Sequence, residues 1–310
     1  MEHFAGIDIS RDHLDLAIWP SSEVTRFSNT DDGIAQLVAS LESLEPTIVA
    51  YEPMGPMSRP LVDALAGAGL TAAAVNPYRI RSFARAVSRL SKTDRLDAIT
   101  IAEFAGTIRP TPTVAPNKEE KELHDLVGRR RQLTEILRDE KIRIAHADSE
   151  DAVSSIERHQ EWVVSEMRQI DELIDQTIES RLDWSEKRAL LMTFNGVGPV
   201  VSAALVADLP ELGLLDRGKI ASLVGLAPIA SESGTKIGTR RIKGGRRRVR
   251  NALFMCSVAT MRSNEKLKTY YWKLRDSGKP PKVARVAVMR KMLVMLNAMV
   301  RDHATWDPGK

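Results

Sequence analysis

The sequence predicts an α/β domain at residues 1–109, a linker and long helical arm at 110–190, and a mainly helical C-terminal domain at 191–310. Three observations support this division. Strand and helix signals alternate through the first segment. Three prolines then fall within residues 110–116, which disfavours both helix and central strand. Beyond them the chain is highly charged, with apolar residues at helical spacing.

The first domain opens with three strand signals, at residues 3–9, 13–19 and 23–28, which predict a three-stranded meander. A helix is expected over 31–44, with Asp31 or Asp32 as its N-cap. A buried strand at 46–51 leads directly to Glu52, and a helix at 58–68 and a strand at 71–75 follow. This order of elements is that of a ribonuclease-H-like (RuvC-like) domain.

The arm carries apolar residues three and four apart from about residue 117 to 194, among many Glu, Lys and Arg. We expect two long helices in an antiparallel hairpin or coiled coil, bent near residues 146–155. Such an arm is more typical of a spacer or an oligomerisation element than of a catalytic unit, and a homo-oligomer, dimer or tetramer, is predicted.

The third domain contains a short turn, Asn195-Gly196-Val197-Gly198, before an apolar helix at 200–209. This pattern is typical of a helix-hairpin-helix element, in which Gly196 and Gly198 let backbone N–H groups approach a phosphate. A plain structural turn fits the pattern equally well. Farther on, Tyr270, Tyr271 and Trp272 lie between basic residues, and packing is favoured over base stacking for them.

Composition narrows the possible partners. The single cysteine, Cys256, excludes a disulfide framework and indicates a reducing compartment. The N-terminus carries acids where a signal peptide is apolar, and charges interrupt the apolar stretch at 283–300, so a cytoplasmic protein without a membrane partner is expected. Between residues 236 and 250, eight Lys or Arg occur without an acid, which predicts phosphate binding. They are Lys236, Arg240, Arg241, Lys243, Arg246, Arg247, Arg248 and Arg250.

Four carboxylates are candidate metal ligands. Asp8 and Glu52 lie at the ends of apolar strand signals, and Asp94 and Asp97 are three residues apart, on one face of a predicted helix. Taken singly, each acid is better explained by an ordinary capping or solvated role, because exposed acids are the norm. Together they suit Mg²⁺, which prefers oxygen ligands, and two such ions can stabilise the attacking and leaving oxygens of phosphoryl transfer.

The ordered set of motifs resembles the RuvC-like DEDD transposases of insertion-sequence family 110, and the resemblance spans nearly the whole chain. The motifs are Gly6-Ile7-Asp8, Tyr51-Glu52-Pro53, Thr93-Asp94-Arg95-Leu96-Asp97, Gly196-Val197-Gly198-Pro199, Gly225-Leu226-Ala227-Pro228, Ser231-Glu232-Ser233-Gly234 and Lys243-Gly244-Gly245.

This resemblance implies a recombinase that moves its own DNA element. It further implies that Asp8, Glu52, Asp94 and Asp97 hold Mg²⁺, that Ser233 is the nucleophile of a composite site, and that a noncoding bridge RNA pairs with donor and target DNA. From the residues alone, Gly234 and the following basic run support Ser233 but do not separate it from Ser231, and a loop serine in an ordinary turn hydrogen bond also fits. The resemblance favours Ser233, because it is the serine directly before the glycine. A nuclease that uses water, or a non-catalytic nucleic-acid-binding protein, remains an alternative.

Overall fold

The computed structural model describes residues 2–89, 91, 93–230, 232–233, 236–238 and 240–307. The chain divides into two units, Met1–Pro116 and Asn117–Lys310. The predicted arm and the predicted C-terminal domain both belong to the second unit.

A mixed five-stranded sheet forms the centre of the first unit. Its strands are β1 (Phe4–Ile9), β2 (His13–Trp19), β3 (Glu23–Ser28), β4 (Ile48–Tyr51) and β5 (Ala72–Ala74). The first three form the predicted antiparallel meander, and β4 and β5 run parallel to β1, in the order β3-β2-β1-β4-β5. The mixed α/β character of this unit is thus confirmed.

Four α-helices flank the sheet: α1 (Asp31–Leu44), α2 (Arg59–Gly67), α3 (Pro77–Ala86) and α4 (Asp94–Ile108). The N-cap of α1 is Thr30, which has extended backbone and whose side chain accepts a hydrogen bond from the Gly33 N–H. The prediction of Asp31 or Asp32 as the cap was therefore wrong. Both acids lie in the first turn, where they favour the helix through its dipole.

The two faces of β1 serve different layers, because successive side chains of a strand point to opposite sides. Ile7 and Ile9 belong to a core shared with α1 and α2. Phe4, on the other face, packs in a core that includes Ile101 and Phe104 of α4. Gly6 and Asp8 have the same parity as Phe4, so they face α4.

The second unit is mainly helical. It contains α5 (Lys118–Ile144), α6 (Glu150–Glu179), α7 (Leu182–Met192), α8 (Pro199–Asp208), α9 (Arg217–Val224), α10 (Arg247–Ser263), α11 (Glu265–Asp276) and α12 (Pro281–Arg301). Among the described residues between α9 and α10 there are four two-residue strands: β6 (Pro228–Ile229), β7 (Glu232–Ser233), β8 (Lys236–Ile237) and β9 (Arg241–Ile242).

The helical arm and the C-terminal helices share one core. The two long helices of the arm, α5 and α6, are joined by residues 145–149, close to the expected bend. Leu123 of α5 and Ile178 of α6 are fully buried in the same cluster as Phe194 and Met292. This shared core explains why the arm does not separate as its own unit.

Within the described residues, no helix is both long enough and apolar enough to cross a membrane. Cys256 is buried in α10, and burial raises the pKa of its thiol to about 11. A thiol of this kind is a packing group rather than a reactive one.

Candidate active site and nucleic-acid interface

The two strand-end acids lie next to each other at one edge of the sheet. Strands β1 and β4 are parallel, and Ile7 is paired with Tyr51, so the following positions bring Asp8 and Glu52 onto neighbouring strands. Ligand sites in open α/β sheets form at such carboxyl ends of parallel strands. The sequence signal for these positions was that Asp8 lies near the end of one apolar strand and Glu52 directly follows another.

Helix α4 brings the other two acids to the same face. Thr93 caps the helix by accepting a hydrogen bond from the Leu96 N–H at 3.3 Å, which places Asp94 and Asp97 in the first turn. Negative side chains are favourable there because the helix dipole is positive at its N-terminus. Asp94 is open to solvent, with 61% of its side chain exposed.

Gly6 sets the distance between α4 and β1. A Cβ at this position would lie 2.1 Å from the Ala102 nitrogen and 2.6 Å from the Ala98 carbonyl oxygen, both backbone atoms of α4. Ala17 of β2 completes the contact with these two alanines. Because small residues stand where α4 crosses Gly6 and Ala17, the start of α4 reaches the carboxyl end of β1.

The resulting concentration of negative charge is evident at Asp8. Its pKa is raised from 3.8 to about 6, first because burial disfavours the charged form and then because four other carboxylates repel it. In decreasing order of effect, these carboxylates are Asp97, Asp94, Glu52 and Asp15. The other three predicted acids therefore all act electrostatically on Asp8.

Two residues near this site were not predicted. Asp15 lies opposite Asp8 on β2, is only 4% exposed, and is paired in register with Arg26 of β3. The guanidinium of Arg26 donates two hydrogen bonds to the Asp15 carboxylate, at 2.7 and 2.8 Å, and lies 3.7 Å from Asp94. The sequence signal that could have identified them is the alternation of side-chain direction along β2 and β3, which places Asp15 and Arg26 on the same face of the sheet as Asp8.

The closed metal cage expected from the sequence is not formed by the side chains as they stand. Among the described residues, no group of three or more His, Cys, Asp and Glu comes close enough to hold a metal ion. Repulsion between like charges opposes closer approach, as the raised pKa of Asp8 indicates. The donor set still suits a divalent cation, because it consists of carboxylate oxygens around a partly buried acid whose negative charge a cation would relieve.

In the second unit, the predicted nucleophile lies on a β-ribbon. Strands β6 and β9 pair antiparallel at its base, and β7 and β8 pair farther along, with Ser233 opposite Lys236. A mainly helical domain was predicted, and this ribbon was missed because its strands span only two residues each in the described part of the chain. The rival Ser231 lies outside the described residues.

Glycines and arginines join the base of the ribbon to α9 and α10. Gly225, with φ +76°, ends α9, and a Cβ on Gly245 would lie 2.2 Å from the Gly225 nitrogen. Arg250 donates hydrogen bonds to the carbonyl groups of Val224, at 3.1 Å, and Gly244, at 2.6 Å. The Gly225 and Gly244-Gly245 motifs thus have a structural role in bringing two backbone segments together.

The eight predicted phosphate-binding residues differ in their surroundings. Arg246 is engaged inside the unit, because its guanidinium donates two hydrogen bonds to Glu211, both 2.5 Å, and one to the Asp208 carbonyl. Arg250 holds the ribbon base, as described above. Arg240, Arg241, Lys243, Arg247 and Arg248 are exposed. For Lys236 the described contact is the backbone pairing with Ser233.

Arg247 and Arg248 form the first turn of α10 and line a cavity of about 510 Å³. His124 of α5 contributes to its wall, with Nε2 2.7 Å from the Arg248 guanidinium and 3.5 Å from the Asp208 carboxylate. The cavity therefore combines exposed guanidinium groups with one carboxylate that offsets part of their charge.

The predicted hairpin glycines lie between α7 and α8. Gly196 has φ +102°, and a Cβ there would lie 2.3 Å from the Thr260 hydroxyl of α10. Packing against α10 thus accounts for this glycine without a phosphate. Gly198 is the N-cap of α8 and has open space beside it. A phosphate contact at this turn stays a prediction.

Comparison with known proteins extends over both units. A transposase family model of the IS110 DEDD type matches residues 5–147, and the model of the transposase IS116/IS110/IS902 family matches residues 188–272. The pilin gene-inverting protein of Moraxella bovis is 28% identical over 243 residues, which cover 75% of this chain and 73% of that protein. The insertion element IS900 uncharacterized 42 kDa protein of Mycobacterium paratuberculosis is 30% identical over 140 residues, covering 44% of this chain and 35% of the relative.

The first family model covers the sheet and the helix that carry the four acids, and the second covers the ribbon that carries Ser233. The chain therefore belongs to the IS110 family of insertion-sequence transposases.

Proposed function

We propose that this transposase cleaves and rejoins DNA by Mg²⁺-dependent phosphoryl transfer, with Ser233 as the nucleophile and a noncoding bridge RNA as the guide to target and donor DNA. The observation that carries the proposal is the group of carboxylates around Asp8, an acid whose pKa is raised first by burial and then by repulsion from those carboxylates. Concentrated negative charge at the carboxyl end of two parallel strands is typical of a site built to bind cations.

Membership of the family implies DNA substrates and a general dependence on a divalent metal. When bound by Asp8, Glu52, Asp94 and Asp97, Mg²⁺ would supply Lewis-acid stabilisation of phosphate oxygens. The protein itself supplies ionised carboxylates at fixed places. Asp8 is held by strand β1, and the capped first turn of α4 holds Asp94 and Asp97.

The proposed chemical step begins with the Ser233 hydroxyl. Its oxygen attacks the phosphorus of a phosphodiester and its proton passes to solvent. The bond from phosphorus to one deoxyribose oxygen breaks, and that oxygen takes up a proton from solvent. The released strand end leaves with a hydroxyl group, and the other end stays attached as a phosphoserine. Attack by a hydroxyl from a new strand end reverses the step and frees Ser233, so no bond energy is lost to hydrolysis.

The basic side chains are proposed to hold the nucleic acid during this exchange. Arg240 and Arg241 are exposed on the ribbon, and Arg247 and Arg248 at the start of α10. Phosphate contacts of this kind position nucleic acid without reading its sequence, which suits a protein guided by RNA pairing. Each contact to duplex DNA is expected to steepen the salt dependence of log affinity by about 0.9.

The deciding experiment traps the protein–DNA adduct. The purified full-length protein is incubated with guide RNA, labelled DNA and Mg²⁺, and covalent complexes are resolved under denaturing conditions. We expect Ser233→Ala to abolish the adduct and Ser231→Ala to retain it. Asp97→Asn is expected to abolish strand cleavage as well as the adduct.

Each other result has a distinct meaning. Adduct lost only with Ser231→Ala would move the nucleophile to the rival serine. Cleavage that persists in Ser233→Ala without an adduct would indicate a nuclease that uses water. Undiminished cleavage by Asp97→Asn in Mg²⁺ would contradict the role of the carboxylates.

A further inference from the structure

Helices α10, α11 and α12 present a row of aromatic side chains that the catalytic proposal does not use. Phe254 of α10 is 45% exposed and Trp272 of α11 is 53% exposed. Between them stand Tyr271 of α11 and Arg285 of α12. We call these four residues the aromatic surface.

The members of the aromatic surface form a chain of contacts that runs from Phe254 through Arg285 and Tyr271 to Trp272. The guanidinium of Arg285 lies over two rings, 5.6 Å from the centre of Phe254 and 5.8 Å from that of Tyr271. Tyr271 meets Trp272 edge to face, with ring centres 5.4 Å apart. Tyr271 is also packed against the hydrophobic core of the unit, so the row has a rigid support.

Arg285 contributes a planar cation to this row. Its Nη1 atom is buried and makes no hydrogen bond within the described part of the chain, and the guanidinium lies over two aromatic rings. Stacked guanidinium and aromatic planes are the groups on which unpaired bases stack.

The surroundings of Trp272 carry positive charge. Residues 262–291 contain ten Lys or Arg against two acids, Glu265 and Asp276. Trp272 lines a shallow concavity of about 380 Å³ on the outer face of α11, together with Lys268 and Lys273. Both acids also line it, and Glu265 pairs with Lys268 at 3.0 Å. This exposed pair contributes little and yields readily to a stronger anion.

We propose that the aromatic surface binds an unpaired nucleotide, with the base stacked on the Trp272 ring and the adjoining phosphate held by Lys273 and Lys268. A half-exposed indole beside lysines suits both parts of a nucleotide. Bases within a duplex are already stacked on their neighbours, so the surface selects single-stranded segments. The inference rests on the proposed function in one respect only, that the partner is nucleic acid. It does not depend on Ser233 or on metal.

The test measures binding of short fluorescein-labelled strands by anisotropy, with full-length protein in the Ser233→Ala background and without Mg²⁺. Oligouridine and oligodeoxythymidine separate RNA from DNA, and a duplex of equal length controls for charge alone. We expect Trp272→Leu to weaken single-strand binding by about 5- to 150-fold, the range for loss of one stacking contact. Trp272→Phe should retain most of the affinity, and duplex binding should change little.

Trp162 offers a matched control, because it is also half exposed, at 50%, on a helix of the same unit. We expect Trp162→Leu to leave single-strand binding unchanged. Equal loss in both tryptophan variants, or unaltered binding by Trp272→Leu, overturns the assignment. So does Trp272-dependent binding of phosphatidylserine vesicles in the absence of any preference for single strands. None of these results alters the adduct experiment, so failures of the two proposals are distinguishable.

Discussion

Replacing Asp8 with asparagine should stabilise the metal-free protein near neutral pH while it abolishes strand cleavage. The Asp8 pKa is about 6 in the folded protein, against an ordinary value of 3.8. Because the folded pKa is the higher one, the stability associated with the protonated acid is fully present below 3.8 and is lost as the pH rises through about 6. Asparagine has nearly the same shape and no charge, so it avoids this loss.

The size of the effect follows from the pKa difference. A shift from 3.8 to about 6 corresponds to ~3 kcal/mol at about 1.4 kcal/mol per unit. Part of the Asp8 side chain is in contact with water, and solvent screening reduces this value to roughly 1–2 kcal/mol. For a unit of this size we expect the melting temperature to rise by roughly 3–10 °C.

Differential scanning calorimetry of the full-length protein in EDTA measures the change, across a series of pH values. The gain of Asp8→Asn over the wild type should be complete above the folded pKa and should shrink as the pH falls towards 3.8. Added Mg²⁺ should raise the melting temperature of the wild type, because ligand binding stabilises the folded state, and should affect Asp8→Asn much less. Asp12→Asn, an exposed acid in the neighbouring turn, is the matched control and should change neither quantity.

Two results would refute the reasoning. An Asp8→Asn protein that melts at or below the wild-type temperature at neutral pH would show that the carboxylates do not destabilise one another. A gain that is equal at every pH would mean that the change acts through packing rather than through charge.

Two further predictions concern other parts of the molecule. Gly6→Ala should lower the free energy of unfolding by about 1–3 kcal/mol through overpacking against α4, and should lower cleavage by more than the loss of folded protein explains. Gly67→Ala, with open space around it, should change neither quantity. Equal activity of both variants in a cleavage assay would contradict the spacing role of Gly6. Arg246→Ala should lower the free energy of unfolding, measured by denaturant titration, by about 1–3 kcal/mol because Glu211 loses its partner. Arg247→Ala should leave stability unchanged and should weaken DNA binding, with a shallower salt dependence. An unaltered salt dependence in Arg247→Ala would show that this residue does not contact DNA.

Much of the N-terminal domain was predictable because its signals are local. Apolar runs mark β1 and β4, and strand direction alone places Asp8, near the end of β1, and Glu52, directly after β4. The prediction for α1 failed at one residue, since several polar side chains stand in a row there and only backbone conformation selects Thr30 as the cap.

The consecutive aromatic residues Tyr270, Tyr271 and Trp272 show the limit of local patterns. Tyr270 and Tyr271 pack against the core of the second unit, as predicted, whereas the adjacent Trp272 is half exposed. The three residues have similar neighbours in sequence, and the packing of α11 against the other helices decides which ring is covered. Charge alone likewise does not separate Arg246, which binds Glu211, from the exposed Arg247.

By itself the sequence determined the order of the strands in the N-terminal domain, the position of the four acids near element ends, and the concentration of basic residues around the start of α10. These properties depend on periodicity and on neighbours a few residues apart. Only the tertiary structure decided that Gly6 brings α4 against β1, that Arg26 neutralises Asp15, and that Asp8 has a raised pKa. Each of these depends on strand register or on burial between segments distant in the chain, which no local pattern specifies.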